Sequence, residues 1–120
     1  LRATTVAKAI ACGSADLRAF PVGDWDVVLN ATPVGSRAFG DALPIPADSL
    51  EPEMTVFDMV YDPLETPLLR AANEKGCTTI DGLRMLVAQA VGQFETWTSE
   101  MAPAEVMEAA ARAAALGRPI

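Results

Sequence analysis

A chain of 120 residues that is 51% apolar and 21% charged is a globular sequence of single-domain size, not a disordered one. Its net charge of −7, with no Lys/Arg cluster, excludes a nucleic-acid footprint, and no apolar run approaches the ~20 residues of a membrane span. Lacking histidine, it holds no imidazole-based triad and no His-containing zinc site, and Cys12 and Cys77 have no metal-ligand spacing, so two thiols point to a reducing, cytoplasmic setting.

The chain opens on Leu1-Arg2-Ala3-Thr4-Thr5, without an initiator Met or a signal-peptide pattern, and reads as one that starts inside a longer protein. A hydroxyl at Thr4 or Thr5 suits a helix N-cap; Val6, Ala7, Ile10 and Ala11 follow at helical spacing, and Gly13 is the stop. Residues 25–31 hold a solid apolar run with β-branched members, the pattern of a parallel strand covered on both faces, and residues 54–60 hold a second. Between them, Pro33, Pro44, Pro46, Pro52, Gly35 and Gly40 mark residues 32–53 as a long loop of the kind that carries function. Thr66-Pro67 caps and starts a helix that runs to Gly76, and residues 77–80 form a brief strand. Asp81 starts a longer helix through about Trp97, and Pro103 starts a last one that Gly117 and Pro119 stop. In that Ala-rich tail Val106, Ala110, Ala113 and Ala114 share one side, as a packing helix requires. The alternation predicts an α/β domain with a mostly parallel sheet.

Open parallel sheets bind ligands outside the carboxyl ends of their strands. The first strand here ends in Asn30-Ala31-Thr32-Pro33-Val34-Gly35, the second in Met59-Val60-Tyr61-Asp62-Pro63 and the third in Asp81-Gly82. Polar or small residues thus gather at three successive strand ends. Asn30 and Thr32 serve equally well to end a strand and begin a turn, and Gly82 to permit a tight one. On the helix from Asp81, Leu83, Leu86, Val87, Ala90, Val91 and Phe94 form one face, and Met85, Gln89, Gly92 and Thr96 the opposite one. Gln89 projects from that second stripe with an amide able to donate to and accept from a hydroxylated ligand, while Met85 also suits adaptable filler. No glycines stand in the G-x-G-x-x-G arrangement that cradles a pyrophosphate, neither Lys8 nor Lys75 follows a strand, and no pair of carboxylates has a catalytic spacing.

Three strings and a fourth shorter one carry a family resemblance. They are Asn30-Ala31-Thr32-x-x-Gly35, Asp58-Met59-x-Tyr61-x-Pro63-x-x-Thr66-Pro67-Leu68-Leu69, Gly82-Leu83-x-Met85-Leu86-Val87-x-Gln89-Ala90 and Phe94-x-x-Trp97-Thr98. In order and spacing they resemble the C-terminal half of shikimate dehydrogenase, over nearly the whole chain. The family reduces 3-dehydroshikimate to shikimate with NADPH, on the way to chorismate and the aromatic amino acids.

The resemblance implies a partial Rossmann-like parallel sheet. Residues 1–80 would be the C-terminal half of the NADP-binding domain, and residues 81–120 helices that pack back on a substrate domain outside this chain. It implies a cofactor site of Arg2, Asn30, Thr32, Met59, Gly82 and Met85, a substrate site of Tyr61 and Gln89, and no metal. The family's glycine-rich loop and its catalytic Lys and Asp lie upstream, so the isolated chain is expected to be inactive. Its exposed sheet edge is expected to drive self-association. Two departures stand out: Leu1 and Ala3 flank Arg2 where the family has Asn and Thr around the Arg that holds the 2′-phosphate, and Ser36 follows Gly35 where Met is common. Alternatives are a quinate/shikimate dehydrogenase paralogue using NAD, a bifunctional dehydroquinase–dehydrogenase parent, and a non-catalytic nucleotide-binding or self-associating module.

Overall fold

The computed structural model describes residues 2–9, 13 and 25–117. Helix α1 (Arg2–Ala9) precedes strand β1 (Val27–Asn30), strand β2 (Thr55–Asp58), helix α2 (Pro67–Lys75), strand β3 (Thr78–Ile80) and the helical pair α3 (Gly82–Thr98) and α4 (Ala104–Ala115). The three strands form one parallel sheet in the order β1-β2-β3, with Asn30 opposite Asp58 and Phe57 opposite Ile80. The expected α/β class with a parallel sheet is what the chain adopts.

Local chemistry sets the helix limits. Thr66 caps α2 by accepting a hydrogen bond from the Leu69 amide at 3.2 Å, Pro67 opens the helix, and Gly76 closes it in the left-handed region at φ 83°. Asp81 caps α3 in the same way, its Oδ1 accepting from the Arg84 amide at 2.9 Å. The other carboxylate oxygen of Asp81 accepts from Arg112 of α4 at 3.2 Å, and Arg112 also donates to Glu108 at 3.1 Å. One carboxylate therefore both starts α3 and ties α4 to its root. At the N-terminus the capping expectation fails: Thr4 and Thr5 lie inside α1, which already begins at Arg2. Ile10 and Ala11 lie outside the described residues, as do Leu1 and Pro119.

The core lies on one face of the sheet. Val28 and Val56 point to it and meet Leu68, Leu69 and Ala72 of α2, with Ile45, Leu50, Met54 and Cys77 closing the cluster. Ile45 and Leu50 belong to the long connection 32–53, which contains successive turns and a single 3-10 turn, Ala47–Ser49. It is therefore a covering segment as well as a loop, because burying two aliphatic side chains offsets the cost of ordering it.

The other face corrects the expectation of strands covered on both sides. On β1, Val27 is 60% and Leu29 53% exposed, and no described strand pairs with the outer edge of β1. The helical pair covers less than its sequence implies. Leu83 is buried, but Phe94 is exposed on the face predicted to be core, and Val106 of α4 is 67% exposed, on no packed side. The physical reason is that each helix has essentially the other as its neighbour, so only the surfaces between them are covered. Among the described residues no helix is long and apolar enough to cross a membrane.

Cys77 is buried and its thiol donates to the Glu51 carbonyl at 3.1 Å. Burial pushes its pKa up, outweighing the opposing backbone hydrogen bond and Lys75, so less thiolate is present at neutral pH than for a free cysteine. In a Cys12→Ser background, Cys77 is expected to react with Ellman's reagent only on unfolding; prompt native-state labelling would contradict this placement.

Candidate functional site

The carboxyl ends of β1 and β2 open onto a cleft of about 540 Å³. Ala31, Thr32 and Pro33 line one wall, Met59, Val60, Tyr61 and Asp62 the other, and Ser36, Arg37 and Ala38 close one end. A second cleft of about 440 Å³ lies beyond Arg37, Tyr61 and Asp62, against Leu83 and Leu86 of α3 and Ala111, Ala114 and Ala115 of α4. Tyr61 thus stands in the partition between two clefts.

Below the first cleft is a buried polar network. Asp58, Asn30 and Thr66 are all buried, and the Asp58 carboxylate is fully so. Its Oδ1 accepts from Asn30 Nδ2 at 2.9 Å and from the Val60 amide at 3.0 Å, while Oδ2 accepts from the Thr66 hydroxyl at 2.6 Å. Asn30 Oδ1 in turn accepts from the Thr32 amide at 3.0 Å and the Thr32 hydroxyl at 2.7 Å, and Asn30 Nδ2 also donates to the Val34 carbonyl at 3.1 Å. Gly35 completes the loop with φ 95°, a conformation that a side chain would strain.

The predicted site residues divide by where they fall. Thr32, Met59 and Tyr61 share the first cleft. Asn30 lies beneath it with both side-chain polar atoms engaged. Gly82 packs against the floor from the α3 side, where a β-carbon would stand 2.6 Å from the Met59 carbonyl carbon and 2.7 Å from the Val60 carbonyl oxygen. Met85 faces a separate groove with Phe57, Ile80, Val87 and Val91. It therefore shares a groove with Val87 and Val91, residues assigned to the opposite stripe, because that groove lies open between α3, α4 and the strand residues Phe57 and Ile80. Gln89 is exposed on α3 and lines neither cleft. Arg2 opens α1.

Two features escaped the sequence. Arg37 Nε donates to both carboxylate oxygens of Asp62 at 2.8 Å, joining the two strand-end loops across the mouth. That hydrogen bond and the charge of Asp62 raise the guanidinium pKa above its already high ordinary value, so Arg37 keeps its charge. Asp58 was visible only as a motif member, since its partners are brought together by strand register. Among the described residues no group of three or more Cys, Asp or Glu side chains suits a metal ion.

Comparison with known proteins places this arrangement. The family model of the shikimate 5′-dehydrogenase C-terminal domain matches residues 82–112. The chain is 48% identical over 92 residues to the shikimate dehydrogenase (NADP(+)) of Archaeoglobus fulgidus, an alignment covering 76% of this chain and 34% of that protein. Its fold is similar to that of the Thermus thermophilus shikimate 5-dehydrogenase solved with NADP(H) and shikimate, at TM-score 0.81 and 34% identity, over 94% of this chain and 42% of that one. It is also similar to the Corynebacterium glutamicum quinate dehydrogenase solved with NAD, at TM-score 0.73 and 32% identity, over 88% of this chain and 39% of that one. The chain thus spans about a third of the length of the curated relative and about two-fifths of the two solved structures. By sequence strings and by fold, the chain belongs with the C-terminal part of the shikimate dehydrogenase family.

Proposed function

We propose that this chain forms the strand-end wall of the active-site cleft in an NADP-dependent shikimate dehydrogenase, an oxidoreductase reducing 3-dehydroshikimate to shikimate in aromatic amino acid biosynthesis. The observation that carries this reading is the meeting of Thr32, Met59 and Tyr61 in one cleft, at the carboxyl ends of adjacent parallel strands. In this reading residues 1–80 complete the cofactor domain and residues 81–120 return to a substrate domain contributed by the rest of the enzyme.

The cleft fits a nicotinamide. Ala31, Pro33, Met59 and Val60 offer apolar surface to a flat ring, and Thr32 and Tyr61 offer hydroxyls at its edge. A bound reduced nicotinamide supplies the hydride; this chain supplies orientation. The Thr32 hydroxyl donates to Asn30 and accepts from the Val34 amide at 3.3 Å, which leaves one lone pair for a ligand donor. Arg2 is the cation for the 2′-phosphate of NADP. Lys75 pairs with Asp48 at 3.5 Å, at the C-terminal end of α2. By the family resemblance, the proton and the substrate hydroxyls fall to the Lys and Asp that the family carries upstream.

The full-length protein is expected to reduce 3-dehydroshikimate faster with NADPH than with NADH, and the isolated 120 residues to show no turnover. A strong NAD preference would favour the second reading, a quinate/shikimate dehydrogenase, which the likeness to the NAD-bound quinate enzyme supports. Turnover by the isolated chain would mean that proton-handling residues lie within it. Gln89→Ala in the full enzyme removes one hydrogen bond to the substrate, worth about 0.5–1.5 kcal/mol, so kcat/KM is expected to fall on the order of 2- to 10-fold. Unchanged kinetics would leave Gln89 a surface residue.

The exposed Val27 and Leu29 beside the outer edge of β1 also support self-association of the isolated chain. Sedimentation should show dimers or larger species, and a monodisperse monomer would refute it.

A further inference from the structure

A fully buried carboxylate is costly unless every lone pair it presents is answered, and Asp58 is buried completely at the end of the central strand. Three of its hydrogen bonds go to groups that shape the cleft above it or start the helix behind it. The Val60 amide belongs to one wall. Asn30 leads to the other wall, and here the chemistry of Asp58 has a directional effect. A carboxylate only accepts, so the amide of Asn30 must turn its NH2 toward Asp58 and its oxygen toward Thr32. The Thr32 hydroxyl must then donate inward, which leaves an acceptor facing the cleft. Replacing Asp58 with an apolar group removes the buried member of three contacts that hold that amide, leaving the Thr32 amide on its oxygen and the Val34 carbonyl on its nitrogen, both within the same loop.

We propose that Asp58 is a positioning residue: through Asn30 and Val60 it holds both walls of the strand-end cleft in place and, together with the Thr32 amide and the Val34 carbonyl, keeps Thr32 a hydrogen-bond acceptor toward the ligand. The proposal deepens the functional reading given above and rests on it for its kinetic consequence. Thr66 anchors the second carboxylate oxygen to the start of α2, so the whole assembly is referenced to the core.

The test is made in the full-length enzyme with NADPH as the varied substrate. Asp58→Ala is expected to raise the NADPH KM and lower kcat, each on the order of 10-fold or more, since displacement of a positioned group by an ångström has effects of that size. Asp58→Asn keeps Oδ1 for Asn30 and Val60 but sets an NH2 against the Thr66 hydroxyl, which loses its acceptor, so it is expected to restore the cleft-facing bonds and part of both constants. Hydrogen exchange should quicken at the amides of Thr32, Val34 and Val60 in Asp58→Ala and not along α3. A folded Asp58→Ala enzyme with native KM and kcat would overturn the proposal, whatever its Tm. If the wild-type enzyme does not reduce 3-dehydroshikimate, the functional reading fails, and unchanged protection at those three amides would then overturn the network by itself.

Asn30→Asp serves where Asp58→Ala does not fold. It sets two carboxylates within hydrogen-bond distance, which share one proton at low pH and repel when both ionise. The titratable groups lining the cleft above them are Tyr61, Asp62 and Arg37, the last two already paired with each other. The NADPH KM of this variant should therefore climb as pH rises through the raised pKa of the pair. A pH profile parallel to that of the wild type would equally overturn the proposal.

Discussion

Gly82→Ala is expected to destabilise the protein by about 3 kcal/mol and to abolish cofactor binding in the full-length enzyme. The added methyl has no rotamer to choose. Its carbon would lie 2.6 Å from the Met59 carbonyl carbon and 2.7 Å from the Val60 carbonyl oxygen, and both neighbours are backbone. Relief requires the segment after β2 to retreat from α3, which carries Met59 and Tyr61 out of the cleft wall. Gly92, on the same helix, is the matched control. Nothing lies within 4 Å of a β-carbon there, so Gly92→Ala should stabilise by about 0.5–1 kcal/mol through helix propensity and unfolded-state entropy. Thermal denaturation and a fluorescence titration with NADP would read both variants. A native Tm in Gly82→Ala would show that strand end and helix start are not in contact.

Thr66→Ala should cost about 3–5 kcal/mol, far more than an ordinary cap, because the cap, a donor to a buried carboxylate and a buried γ-methyl are lost together. Loss of the cap costs about 1 kcal/mol, because the Leu69 amide loses its acceptor. The buried Asp58 Oδ2 also loses its donor, adding about 1–3 kcal/mol for a stranded polar group. Thr66→Ser keeps both hydrogen bonds and gives up only a buried methyl, about 1 kcal/mol. Urea denaturation of the pair separates hydroxyl from packing, and equal losses in the two variants would assign the effect to the methyl.

What could be read in advance was whatever depends on neighbours in sequence. Thr66, Pro67 and Gly76 bound α2 through contacts within a few residues, so its limits were legible to the residue. Thr32, Met59 and Tyr61, singled out by the strand-end rule, line one cleft because β1 and β2 are parallel and adjacent. The rest depended on partners distant in sequence. The positions 30, 58 and 66 mean nothing jointly until register sets Asn30 opposite Asp58. Arg37 finds Asp62 only when two loops fold toward each other. The stripe of α3 misled for a different reason: periodicity identifies an apolar side but not what covers it, and here Phe94 remains exposed. Val106 failed on the same ground. Ile45 and Leu50 show the converse, core residues hidden among prolines in a segment whose composition spoke only of turns.

The carboxylate of Asp81 that starts α3 and holds Arg112 makes the two last helices one lever with its fulcrum beside the cleft floor. With 17 residues rising 1.5 Å each, α3 reaches roughly 25 Å from that point, so a tilt of about 10° at Gly82 displaces its far end by about 4 Å. Trp97 and Met101, 78% and 88% exposed, ride at or just beyond that far end. Any tilt forced on α3 where Gly82 bears on the Met59–Val60 backbone would therefore be largest at Trp97 and Met101, the most exposed large apolar side chains among the described residues.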